Sequence, residues 1–88
     1  MTMKSEELSK LRCKRKLTQE NLARRMGIAR RAYIELEMGR RLIRRPHILA
    51  LERISMDMSV IHNDPDMLLP NARFIVEHLA SAEPNEER

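Results

Sequence analysis

Hydrophobic residues recur every three to four positions along the first half of the chain, which is the spacing of one face of an α-helix. Ser5 precedes the first of these series and Thr18 the second, and both residue types cap helix N-termini. The pattern therefore predicts one helix from Ser5 to about residue 15 and another that ends at Gly27. The apolar positions of these two helices are Leu8, Leu11, Leu22, Ala23 and Met26.

A third helix is predicted to follow Gly27 closely, from Ala29 or Arg30 to about Met38, and to stop at Gly39. Because successive residues are rotated by about 100° around a helix, its residues separate into two faces. The face predicted to be buried carries Ala32, Tyr33 and Leu36. The face predicted to be exposed carries Arg30, Arg31, Ile34 and Glu35.

The second half of the chain carries two further helical patterns. Pro46 suits the first turn of a fourth helix, whose pattern weakens after Ser55, and residues 62–66 read as a turn-rich linker. A fifth helix is predicted from Ala72 to about Ala82. The apolar positions are Ile48, Leu51 and Ile54 in the fourth helix, and Phe74, Ile75 and Leu79, beside His78, in the fifth. We expect a domain over residues 1–55, an extension over 56–82 and a disordered tail over 83–88.

Composition favours a small all-α domain. The chain has 88 residues, of which 42% are hydrophobic, 34% charged and 2% aromatic, a balance that suits short amphipathic helices better than a β-sandwich or barrel. Cys13 is the single cysteine, which excludes an internal disulfide and a cysteine-based zinc site. Because no apolar run approaches about 20 residues and the first residues are polar, we expect a soluble cytoplasmic protein.

Charge is distributed unevenly along the chain. The formal net charge is 17 − 13 = +4, but residues 1–45 hold 14 Lys and Arg against five acids, and residues 46–88 hold three against eight. The difference of +9 against −5 indicates a polyanionic partner for the first half, nucleic acid in preference to an acidic membrane. From charge alone, a basic surface that contacts only solvent is an equally good explanation.

The sequence predicts no enzyme and no cofactor. His47, His62 and His78 stand in separate segments, and the chain has no zinc-binding His-Glu-x-x-His, phosphate-binding glycine loop or nucleophile elbow. His62, Asp64 and Asp66 match no common metal-site spacing, so a solvated acidic linker is the favoured interpretation.

The segment from Leu17 to Gly39 resembles the helix-turn-helix of the Cro/CI (XRE) family of phage and bacterial repressors. Ala23 allows two helices to cross closely, Gly27 makes the turn, and residues such as Tyr33 close the core between them. With the flanking helices, the resemblance covers about residues 5 to 55 and implies a compact five-helix, lambda-repressor-like domain.

The resemblance also implies which residues would contact double-stranded DNA. The third helix would enter the major groove, and a buried ion pair would join Arg12 to Glu37. Ala29 departs from the family, which often has Ser or Thr as the N-cap there. The implied base-reading residues are Arg30, Arg31, Ile34, Glu35 and Gln19. The implied phosphate-binding residues are Arg40, Arg41, Arg44 and Arg45.

We therefore expect a transcription regulator, a homodimeric repressor of an inverted-repeat operator with half-sites about 34 Å apart. The predicted dimer face is Phe74, Ile75 and Leu79, although this stripe could equally pack on its own domain. The alternative is an antitoxin-like or accessory protein, whose acidic segment from Glu52 onward would hold a partner. Nonspecific RNA or membrane binding is disfavoured, because aromatic platforms and a long basic amphipathic face are missing.

Overall fold

The computed structural model describes residues 2–82, and the regular secondary structure of this part of the chain is entirely helical, without a strand. The helices are α1 (Ser5–Lys14), α2 (Gln19–Met26), α3 (Arg30–Glu37), α4 (Arg45–Ile61), a 3-10 helix (Pro65–Met67) and α5 (Pro70–Ser81). The predicted all-α, five-helix fold is confirmed. The predicted disordered tail, residues 83–88, lies outside the described residues.

Several helix ends are set by capping or proline residues at the ends themselves. The Thr18 hydroxyl accepts a hydrogen bond from the Asn21 N–H at 3.0 Å, which confirms it as the N-cap of α2. Gly27 ends α2 with a φ of 74°, a left-handed conformation that glycine adopts without a Cβ clash. The prediction of Ser5 as an N-cap is wrong: Lys4 occupies that position and Ser5 is the first helical residue. α5 begins at Pro70, two residues before the predicted start, since proline is accepted in a first turn.

α4 extends through the region where its apolar pattern weakens. Ser55 is fully buried, and its hydroxyl donates to the Glu52 carbonyl oxygen at 2.6 Å while it accepts from the Leu69 N–H at 3.2 Å. Because both hydrogen bonds are made, this polar side chain is accommodated on the buried face of the helix. Met58, one turn later, is again buried, and the helix reaches Ile61.

One hydrophobic core joins α1 to α4 and the 3-10 helix. α3 packs against α1 and α2, and α4 packs against α2, the 3-10 helix and α5. Tyr33, the largest core side chain, is fully buried beneath α3. The core consists of Leu8, Leu11, Leu17, Leu22, Ala23, Tyr33, Leu36, Leu51, Ile54, Met58 and Met67. The predicted buried positions of α1 to α4 are thus largely confirmed, except that Met26 and Ala32 are only half-buried.

α5 is attached to the rest of the protein by a small contact. Ala72 is its one buried residue among those described. The side chains of its apolar stripe, Phe74, Ile75 and Leu79, are 65%, 47% and 68% exposed. The alternative that this stripe packs on its own domain is therefore wrong, because its large side chains face solvent in the single chain.

Candidate nucleic-acid interface

The outer face of α3 presents the residues that the sequence assigned to it. Arg30 and Arg31 are exposed at the start of the helix, and Ile34 and Glu35, about one turn later, are half-buried. On the inner face, Tyr33 is completely buried, which anchors α3 and fixes its rotation about its own axis. The guanidinium groups of Arg30 and Arg31 therefore lie on a helix whose orientation is fixed by its buried face.

A cleft of about 540 Å³ lies between the N-terminal ends of α2 and α3. It is lined by Arg12, Thr18, Gln19, Glu20 and Arg30. The structure thus brings together two of the predicted base-reading residues, one from each helix of the helix-turn-helix unit. Arg31 does not line this cleft.

A network of hydrogen bonds beneath the cleft joins three helices. Arg12 Nε of α1 donates to Glu37 Oε1 of α3 at 3.0 Å, and Gln19 Nε2 of α2 donates to Glu37 Oε2 at 2.6 Å. Arg12 Nη1 also donates to the Leu17 carbonyl oxygen at 3.0 Å. The ion pair between Arg12 and Glu37 that the resemblance implied is present, and the side chain of Glu37 is 8% exposed.

The network changes the proton affinity of its charged members. Burial alone would raise the pKa of Glu37, but hydrogen bonds from Gln19 and Arg12, with the charge of Arg12, outweigh it and hold the pKa below its ordinary value. Burial likewise opposes the charged form of Arg12, while the hydrogen bond and charge of Glu37 raise the Arg12 pKa overall. Both groups remain ionised at neutral pH, so the ion pair fixes α1 against α3, and the hydrogen bond from Gln19 adds α2 to the same carboxylate.

Residues 39–45, here named the arginine loop, follow α3 and end at Arg45, the first residue of α4. Gly39 begins the loop with a φ of 78°, and Arg40, Arg41, Arg44 and Arg45 are all exposed. Arg41 Nη2 lies 3.5 Å from Glu35 Oε1, and the Arg44 N–H donates to His47 Nδ1 at 2.9 Å where α4 begins. The loop therefore carries four cations next to the outer face of α3.

The start of α3 has no side-chain cap, as the departure at Ala29 predicted. An N-cap serine or threonine would contribute about 1 kcal/mol. Tyr33 and the Arg12–Glu37 pair hold the helix in its place instead.

The acidic linker between α4 and α5 contributes to turns and surface pairs. The Asp64 carboxylate accepts from the Asp66 N–H at 2.9 Å, and the Asp66 carboxylate accepts from Arg73 Nη1 at 3.3 Å. His62 is exposed at the C-terminal end of α4. These contacts give the two aspartates a local structural role.

Sequence reasoning missed two contacts. The assignment of Gln19 to DNA did not include its hydrogen bond to Glu37, 18 residues away, and no role was predicted for Arg15. Arg15 is instead 3% exposed, and its guanidinium donates to the carbonyl oxygens of Leu11 and Met67. Local periodicity contains no signal for either contact, because the partners lie in other elements.

Comparison with known protein families identifies the unit that carries this interface. The model of a family described as Helix-turn-helix matches residues 8–54, which span α1 to most of α4. No curated protein and no solved structure shows significant similarity to the chain. Among the described residues, no helix is both long and apolar enough to span a membrane. The family match agrees with the turn at Gly27 and with the exposed arginines of α3. The chain therefore belongs to the Cro/CI (XRE) type of helix-turn-helix proteins, which are DNA-binding transcription regulators.

Proposed function

We propose that this protein is a sequence-specific repressor that binds an inverted-repeat operator as a homodimer in the cytoplasm of a bacterium. The observation that carries the proposal is the pair of exposed guanidinium groups, Arg30 and Arg31, at the start of a helix held by the Arg12–Glu37 pair. A guanidinium group so placed can donate two hydrogen bonds to O6 and N7 of guanine.

The outer face of α3 would read bases in the major groove. Arg30 and Arg31 donate to guanine, Ile34 contacts a thymine methyl group, and Glu35 accepts from cytosine. Gln19 reaches the edge of the groove beside Arg30, with its amide oriented by Glu37. The same hydrogen bond makes Gln19 a positioning residue for α2 as well as a DNA contact.

The arginine loop would bind phosphates on either side of the groove. Arg40 makes no side-chain hydrogen bond to any described residue, whereas Arg41 is shared with Glu35. Phosphate contacts set affinity and register, while base contacts set sequence choice.

Two copies would associate through the apolar stripe of α5, defined as Phe74, Ile75 and Leu79. Contiguous exposed apolar groups on a protein surface mark interaction sites, and this stripe is largely uncovered in the single chain. The Phe74 ring stacks on His78 at a centroid distance of 5.8 Å, which widens the flat surface offered to a partner. A two-fold dimer presents two recognition helices to two half-sites, and bound at a promoter it blocks transcription.

The alternative of an antitoxin-like partner protein has weaker support. It relies on the acidic charge beyond Glu52, but Asp57, Asp66 and Glu77 are paired with Arg53 and Arg73 of the same chain. Although exposed ion pairs contribute little to stability, they reduce the negative electrostatic potential that would attract a basic partner.

Selection of bound duplexes from a random DNA library tests the proposed function directly. Sequencing of the enriched pool should show an inverted repeat whose half-site centres are about 10 base pairs apart. A pool without a motif, together with binding that disappears as salt rises, would contradict sequence-specific recognition and favour the antitoxin-like alternative.

Arg30→Ala should weaken binding to the selected site by about 1–3 kcal/mol and leave binding to unrelated DNA nearly unchanged. The reason is that a base contact is lost while the phosphate contacts remain. Fluorescence anisotropy on both duplexes measures the difference, with Arg53→Ala on α4 as the control of equal charge change. An equal loss on both duplexes would contradict base reading by Arg30.

Arg40→Ala should reduce the dependence of log K on log salt by about 1, because one phosphate contact and its released counterion are removed. Titrations at several salt concentrations give the slope for the wild type, for this variant and for Arg53→Ala. A slope that does not change would remove Arg40 from the phosphate contacts.

A further inference from the structure

A groove of about 620 Å³ separates α1 from the segment that leads into α5. Its walls are mainly aliphatic, with Leu11 on one side and Leu68, Leu69 and Pro70 on the other. The volume falls within the range of about 300–1,000 Å³ that small-molecule sites occupy. The DNA-binding and dimer surfaces proposed above do not account for this groove.

Positive charge exceeds negative charge around the groove. The acidic side chains that line it are Glu7 and Asp66. The basic side chains that line it are Lys10, Lys14, Arg15 and Arg73. Asp66 is already engaged, because its carboxylate accepts from Arg73 at 3.3 Å and its carbonyl oxygen accepts from Lys14 Nζ at 2.9 Å. An anion in the groove would therefore meet a net cationic surface.

Arg15 is the unusual member of this lining. It is 3% exposed, and no carboxylate among the described residues lies within ion-pair distance of it. Its Nη1 and Nη2 donate to the carbonyl oxygens of Leu11 and Met67, but its buried Nε has no hydrogen-bond partner within residues 2–82. Burial lowers the pKa of Arg15, which reflects the cost of a cation without a counter-charge.

We propose that this groove binds a small organic anion with an apolar body, such as an aliphatic or aromatic monocarboxylate. The carboxylate lies among Arg15, Lys10 and Lys14 and supplies a counter-charge to Arg15. The apolar body lies along Leu11 and Leu68, where its burial removes hydrocarbon from water. The bound molecule bridges α1 to the segment before α5, and this site does not depend on DNA binding.

Decanoate is a suitable probe, because it combines a carboxylate with a flexible apolar chain. Added to the full ¹⁵N-labelled chain without DNA, it should cause saturable amide shifts confined to α1 and residues 65–73, and it should raise the Tm. Decan-1-ol has the same chain without the charge, and we expect it to bind about tenfold more weakly, since hydrogen bonds to charged groups are the stronger ones.

Two lysines near the end of α1 provide a matched pair of variants. Lys10→Glu, on the groove, should weaken decanoate binding about tenfold, because an attractive charge becomes repulsive. Lys16→Glu makes the same charge change at an exposed residue that does not line the groove, and it should leave binding unchanged. Arg15→Gln should abolish the preference for decanoate over decan-1-ol, with its folding checked by circular dichroism.

The proposal is overturned by absence of saturable binding or by equal affinity for decanoate and decan-1-ol. Shifts centred on Phe74, Ile75 and Leu79 would also overturn it, since they would show adsorption to the exposed stripe of α5. If Arg15→Gln does not fold, the comparison of Lys10→Glu with Lys16→Glu still tests whether decanoate binds in the groove.

Discussion

Replacing Phe74 and Leu79 together with glutamate should convert the protein to a monomer and lower its affinity for an inverted-repeat site by about 10²–10⁴-fold. Both side chains are more than half exposed in the single chain, so the change removes nothing from its own core. In the proposed dimer, however, each glutamate would place a charge in an apolar contact and beside its symmetry mate. The second half-site would then no longer be held close to the first, and the gain from linked binding would be lost.

Sedimentation equilibrium measures the oligomeric state. Comparing the affinity for one half-site with the affinity for the full repeat measures the gain from binding both half-sites together. The variant should bind a single half-site as well as the wild type does. Ala80→Glu serves as a control for an added negative charge, because it places one glutamate at an exposed position of α5 outside the stripe. A wild-type monomer, or a variant that remains dimeric, would place the dimer interface elsewhere or exclude it.

Glu37→Ala should lower the free energy of unfolding by about 3 kcal/mol at neutral pH, a large fraction of the roughly 5–15 kcal/mol of a typical domain. The substitution leaves Arg12, whose side chain is 19% exposed, without its counter-charge. It also removes the acceptor of Gln19, so α1, α2 and α3 lose the group that joins them. For a domain of this size, the Tm should fall by about 4–8 °C per kcal/mol.

The effect of Glu37→Ala should depend on pH in a defined direction. Because the pKa of Glu37 is lower in the folded than in the unfolded chain, the folded state is favoured while the carboxylate is ionised. This contribution is complete above the unfolded pKa of about 4.3 and is lost as pH falls through the folded value. Wild type and variant should therefore differ most near neutral pH and converge in acid.

Urea unfolding at a series of pH values measures both parts of this prediction. Glu20→Ala is the control, since Glu20 is an exposed glutamate of α2 and makes no side-chain hydrogen bond to a described residue. A constant difference between wild type and Glu37→Ala at every pH would contradict the role assigned to the ionised carboxylate. A loss as small as that of Glu20→Ala would show that the buried residues Tyr33 and Leu36 hold α3 in place without the ion pair.

The sequence by itself determined the features that depend on neighbouring residues. The hydroxyl of Thr18 caps α2 three residues on, and Gly27 supplies the left-handed turn between α2 and α3. Helical periodicity separated Arg30 and Arg31 from Tyr33, because a rotation of about 100° per residue groups Tyr33 with Ala32 and Leu36 on one side of the helix, whatever surrounds it. These local rules were sufficient for the helix-turn-helix unit and for the exposed residues of its recognition helix.

Only the tertiary structure decided which partners distant side chains meet. Arg15 lies in a run of basic residues, yet it is buried against the carbonyl oxygen of Met67, 52 residues away. Gln19 is held by Glu37, and Ser55 bridges α4 to Leu69, although neither contact has a local pattern. The stripe of α5 illustrates the same limit, since periodicity shows which face of a helix is apolar but not what covers it. Coverage is set by how the helices pack together, and in this chain that packing leaves the stripe of α5 facing solvent.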